Sequence, residues 1–134
     1  MKFEATIPMT PVAKGRPRLT ARGGFAYAYT PQKTRDAEEH LRWQLIRVWR
    51  HPPLGGAISL QVTFYMPIPK SIGMKKKIAL LNGPHLKRPD ADNFLKQLMD
   101  SGNGLLWVDD SQIWDIQIKK LYGAPSRTEI VLNW

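Results

Sequence analysis

Cysteine is absent, which removes disulfides, thiolate metal sites and cysteine-nucleophile catalysis from consideration. No run approaches the roughly 18 apolar residues needed to span a bilayer. The opening decapeptide MKFEATIPMT has no long apolar core and carries Glu4, so it does not read as a signal peptide, and a cytoplasmic location is expected. A glycine-rich phosphate loop, an H-E-x-x-H motif and a Ser-His-Asp arrangement are all missing. There is no internal repeat and no low-complexity segment. Acids are scarce, at 11 against 20 lysines and arginines, which leaves a net charge of +9. That balance favours a polyanionic partner, nucleic acid first and an anionic membrane surface second.

The few acids are gathered. Asp90, Asp92, Asp100, Asp109, Asp110 and Asp115 fall within residues 90–115, where Lys96 is the single basic residue. An acidic island in a basic chain is what metal-assisted phosphodiester chemistry needs: the basic part holds the strand and the acidic part holds the ion. With 43% hydrophobic residues in 134, the chain is rich enough to bury one core, and one domain over 1–134 is expected.

Along the chain, residues 2–7 read as a strand and 8–17 as a proline-stiffened loop. Residues 18–29 suggest a hairpin turning at Arg22-Gly23-Gly24. Thr30-Pro31 opens a helix to about Arg50, with Ala37, Leu41, Leu45 and Val48 on one stripe. Residues 57–66 alternate as a strand, Ile58, Leu60, Val62 and Phe64 pointing one way. Ser71 is a candidate cap for a short helix over 72–81, ending at Asn82-Gly83. A second helix is expected near 92–101, a turn at Gly102-Asn103-Gly104, and strands near 112–122 and 127–133. The sum is an α+β fold, a mixed β-sheet with helices packed on it.

Asp90-Ala91-Asp92 places two carboxylates where they can share a hard cation such as Mg²⁺, or where they simply cap a helix. Lys96 lies one turn beyond Asp92, either as its surface ion-pair partner or as a cation for a phosphate oxygen. Asp109-Asp110 reads as a solvated turn or as further metal ligands. A return strand over 105–109 would match the length of the preceding helix and bring these acids back to its N-terminus. Lys14, Arg16 and Arg18 form a basic loop near Tyr27 and Tyr29, and Lys75, Lys76, Lys77, Lys87 and Arg88 form further basic groups. Each is a candidate DNA-backbone contact or a plain solvated face. His85, in the loop before the acidic motif, is a weaker candidate for proton transfer, and His40 and His51 read as structural.

The run RPDADNFLKQLMDSGNGLLWVDDSQIWDIQIKKLYG, residues 88–123, resembles the RusA Holliday-junction resolvases of bacteria and their phages. Asp90, Asp92, Asn93, Lys96, Asp100, Trp107, Asp109, Asp110 and Gln112 stand where that family's pattern has them, and the N-terminal KGRPR is similar to the phage-type members. Ala91, Pro89 and Ser101 depart from the pattern, and none of them is a ligand position. The resemblance implies metal ligation by Asp90, Asp92 and Asp110, a catalytic Lys96, Mg²⁺ or Mn²⁺ as cofactor, and a homodimer acting in DNA recombination and repair. It implies a metal-dependent endodeoxyribonuclease that resolves four-way junctions by paired nicks. The alternatives are a Mg²⁺-dependent nuclease acting on other branched or single-stranded nucleic acid, and a non-catalytic DNA-binding module.

Overall fold

A computed structural model describes residues 1–15, 18–29 and 31–134. Arg16 and Thr30, read above as a DNA contact and a helix cap, lie outside the described residues, as do Pro17 and the side chains of Arg18, Thr20, Arg22, Phe25 and Tyr27.

The chain is α+β. Its main sheet has four strands: β1 (Lys2–Ile7), β4 (Ile58–Met66), β5 (Ile113–Tyr122) and β6 (Arg127–Asn133), in the order β1-β6-β4-β5. β6 runs antiparallel to both β1 and β4, while β5 runs parallel to β4, so the sheet is mixed and β5 is an edge. β2 (Arg18–Arg22) and β3 (Phe25–Tyr29) pair as a separate antiparallel ribbon. Gly23 and Gly24 both take positive φ at its turn, where glycine carries no steric cost.

Strict alternation makes β4 the keel of the core. Ile58, Leu60, Val62, Phe64 and Met66 are all buried, and the residues between them face away. Against this face pack α1 (Gln32–Val48) and α3 (Ala91–Gly102). α1 contributes Leu41 and Leu45, with Val48 partly covered. α3 contributes Phe94 and Leu98, with Leu95 and Met99 partly covered. Gln97 and Ser101 are also buried: Gln97 donates to the Thr34 carbonyl at 3.4 Å, and the Ser101 hydroxyl to the Gln97 carbonyl at 2.8 Å. α3 ends at Asn103, and Arg42 of α1 closes that end by donating to the carbonyls of Ser101 and Asn103 at 3.1 and 2.8 Å. A cation there also suits the negative end of the helix.

Two local expectations are corrected. The short helix α2 spans Met74–Leu80 and is capped at Gly73 rather than at Ser71; Asn82 then turns the chain with φ 63°. No strand forms over 105–109. The N–H groups of Leu105 and Leu106 both bond the Gly102 carbonyl, so the chain closes tightly after α3 instead of running back along it.

Candidate active site

Asp90 is the N-cap residue of α3 and Asp92 lies in its first turn. Asp90 makes no side-chain capping bond, although its carbonyl accepts from Asn93 N–H at 3.1 Å. Capping therefore does not occupy this carboxylate. Both side chains are exposed and have no hydrogen-bond or ion-pair partner among the described residues. Two free carboxylates at the positive end of a helix are tolerated electrostatically, and their oxygens are the donors a hard divalent cation takes.

Lys96 does not pair with Asp92. Its Nζ lies 3.2 Å from Asp100 Oδ1, one turn further along α3, and remains largely exposed. The other Asp100 oxygen is 2.7 Å from Lys14 Nζ, which also lies 3.8 Å from Glu38 of α1. The Lys14 backbone N–H donates to the Asn93 carbonyl at 3.0 Å. Lys14 is thus tied to α3 twice, by main chain and by ammonium, and sits half-buried. Asp100 bridges it to Lys96.

Asp110 opens a single 3₁₀ turn, Asp110–Gln112. The turn is locked by a capping box: Asp109 accepts from Ser111 N–H at 3.1 Å, and Gln112 accepts from Asp109 N–H at 2.8 Å. The Ser111 hydroxyl, which also donates to Asp109, and then the Ser111 N–H hold the Asp109 carboxyl below the usual carboxylate range, and they commit it to structure. Asp110 carries no such bond among the described residues. The Gln112 amide donates to the carbonyls of Leu54 and Gly56 at 2.8 and 2.9 Å, which anchors the turn beside the start of β4.

Asp110 consequently lies at the opposite end of α3 from Asp90. Trp107 packs on Gly102, the last residue of the helix, so closely that a Cβ there would come within 2.6 Å of the ring. Pro89, just before Asp90, instead meets Lys120, seven residues along β5 from Ile113, about 23 Å at strand rise. Among the described residues no group of three or more acids or histidines is placed to hold a metal ion. The expected convergence within one chain fails because the return segment is a closed turn. Asp90 and Asp92 fit a divalent cation; Asp110 of the same chain does not complete their set.

Lys87 and Arg88 are exposed in the loop that leads into Asp90, and Lys75 and Lys76 are exposed on α2, with Lys77 half-buried. His85 is buried in that loop, its ring 4.8 Å from Tyr122 and its Nδ1 without a partner. Burial first, then the cations Lys120 and Lys87, hold its pKa below the ordinary histidine range, so it is neutral at pH 7. Lys120 passes unnoticed in the sequence. Its Nζ donates to the carbonyls of Lys87 and Pro89 at 2.6 and 2.8 Å. A signal was available: in register with Leu60, Val62, Phe64 and Met66, β5 places Ile116, Ile118, Lys120 and Tyr122, and the lysine interrupts an otherwise apolar row.

An acidic helix terminus flanked by exposed cations, in a strongly basic α+β chain, suits a polyanion and a divalent cation together. The family model for the endodeoxyribonuclease RusA matches residues 8–133, and the chain belongs to that family. It is also 32% identical over 134 residues to the uncharacterized protein YqaN of Bacillus subtilis (strain 168), a match that covers 96% of this chain and 93% of that protein. No helix among the described residues is long and apolar enough to cross a membrane.

Proposed function

We propose that this chain resolves four-way DNA junctions by paired nicks, as a two-fold homodimer using Mg²⁺ or Mn²⁺. The observation that carries this reading is the pair Asp90 and Asp92, unpartnered at the head of α3, in a RusA-family chain of net charge +9. When bound there, the divalent cation supplies a Lewis acid for the scissile phosphate. Asp90 and Asp92 hold and orient it. Lys96, steadied by Asp100, reaches the phosphate from the same exposed side of α3 and donates to its oxygens as negative charge grows. Lys87 and Arg88, next to the acids, and Lys75, Lys76 and Lys77 contact the DNA backbone and set its register rather than read its sequence.

The placement of the acids supports the dimer. With Asp110 at the far end of α3, a two-fold axis lets the partner's Asp110 join Asp90 and Asp92, reciprocally for both sites. Two equivalent sites match the two opposed strands a junction must have cut. Beside Asp110, Val108, Trp114 and Ile116 are exposed apolar side chains available for such a contact.

The reading is tested on a labelled four-way junction and a linear duplex of the same sequences, with and without Mg²⁺. Symmetric nicks in the junction, absent from the duplex and without metal, are expected. Equal cutting of duplex or single strands would replace the junction by a broader substrate. Tight binding without cleavage at any Mg²⁺ or Mn²⁺ concentration would leave a binding module.

A further inference from the structure

Lys120 is half-buried on the edge strand β5, in register with buried Phe64, and no carboxylate pairs with it among the described residues. Instead, two of its three N–H donors are spent on main-chain carbonyls of one short loop, those of Lys87 and Pro89. Bonds from an ammonium are about twice as strong as neutral ones. The next residue after Pro89 is Asp90.

The same loop is already sewn to the free edge of β5 upstream. Asn82 N–H donates to the Tyr122 carbonyl, Tyr122 N–H to the Gly83 carbonyl, and His85 N–H to the Lys120 carbonyl, all at 2.9–3.0 Å. That main-chain stitching stops at His85. From Leu86 to Pro89 the residues are exposed, and the Lys120 side chain carries the attachment onward to the threshold of α3. Downstream, the Lys14 N–H takes the Asn93 carbonyl. Asp90 and Asp92 thus stand between two fastenings, and Lys120 is the one on the Asp90 side.

We propose that Lys120 is a positioning residue for the acidic pair: by clamping the carbonyls of Lys87 and Pro89 it fixes the loop that delivers Asp90 and keeps the Asp90 and Asp92 carboxylates set for one cation. The inference rests on the reading of Asp90 and Asp92 as ligands. Lys120 itself touches no reacting atom.

The test compares the wild type with Lys120→Met, which keeps the stem and loses the donors, and Lys120→Arg, which keeps the charge and supplies N–H donors from a guanidinium. Amide hydrogen exchange at His85 and Asn93, the bonded amides on either side of the exposed segment, and Mn²⁺ binding by calorimetry, both without DNA, are measured beside cleavage. Exchange of the bonded amides of His85 and Asn93 should quicken at least tenfold in Lys120→Met, with the β4 amides unchanged. Mn²⁺ affinity should fall by about 10–100-fold, as for loss of other residues that support ligands. Cleavage should fall at low metal and recover toward the wild-type rate as metal is raised, and Lys120→Arg should restore most of each effect. If Lys120→Met does not fold, Lys120→Gln, which keeps two N–H donors on a shorter stem without the charge, should give intermediate values of the same sign. Unchanged exchange at both His85 and Asn93, or Mn²⁺ affinity within twofold of wild type, overturns the proposal. A wild type that binds Mn²⁺ at Asp90 and Asp92 but cuts no DNA would end the nuclease reading while the exchange and binding data still decide the role of Lys120.

Discussion

Lys96 and Asp92 share the exposed side of α3 one turn apart, yet the lysine is drawn toward Asp100 and leaves Asp92 free. A surface ion pair at this spacing contributes only a few tenths of a kcal/mol, so which acid takes the lysine matters little for stability. It matters for chemistry, because a carboxylate neutralised by its own lysine would be a poorer ligand. Lys96→Met should lower single-turnover cleavage by about 10²–10³ while junction affinity changes much less. A drop under threefold would reduce Lys96 to a surface residue. His85 gives a second residue-scale prediction. Its folded pKa is lowered by burial, then by Lys120 and Lys87, whereas in the unfolded chain it protonates near its ordinary value of about 6.5. The unfolded chain therefore binds the extra proton first as pH falls. The stability owed to neutral His85 is complete above about pH 6.5 and is lost as pH drops from there toward the folded pKa. His85→Phe should flatten that acid-side loss of stability in denaturant titrations, and an unaltered pH profile would exclude His85 as its source.

At the scale of elements, periodic segments were legible and contact-defined ones were not. β4 alternates on its own evidence, and α3 shows its apolar face, because burial on one side is written into spacing. The turn from Gly102 to Gln112 has no such period. Its shape comes from the Trp107 ring on Gly102, from Leu54 N–H on the Leu106 carbonyl, and from Gln112 on Leu54 and Gly56, partners some fifty residues away. The acids were visible as candidates, but their separation was not, since that turn sets it. The same holds for Lys14. Charge and proline context suggested a phosphate contact, whereas its neighbours Asp100, Glu38 and Asn93 come from two helices. With its ammonium committed to Asp100, Lys14→Met should lower stability by about 1.5–3 kcal/mol, the range for hydrogen bonds to charged groups. It should leave the slope of log K against log salt for junction binding nearly unchanged. Neutralising exposed Lys75, Lys76, Lys87 and Arg88 together should flatten that slope, because fewer counterions are released on binding. The opposite pattern would return the DNA to the N-terminal loop.

For the whole molecule, the question is whether the sites are built within chains or between them. α3 has 12 residues, about 18 Å of helix, with Asp90 and Asp92 at one end and the turn of Asp110 beside the other. No side-chain rotation closes that gap, so a three-carboxylate site has to borrow from a second copy. The edge near Asp110 is suited to contact. β5 slips register against β4 between Ile58 and Ser59, leaving Trp114 without a partner across the strands. A bulge of this kind re-aims a side chain, and Trp114 is 74% exposed. Two predictions follow from one geometry. Sedimentation of the wild type at micromolar concentration should give about twice the 15.3 kDa chain mass, and Trp114→Arg should shift it toward monomer. Asp92→Asn and Asp110→Asn should each abolish cleavage as homodimers. Unfolded together and refolded as a mixture, they form heterodimers in which one site has lost both acids and the other has all three. That mixture should regain nicking of one strand per junction without paired cuts. If sites were built within chains, every site in the heterodimer would lack an acid and the mixture would stay inactive, and the two-fold shared site would be discarded.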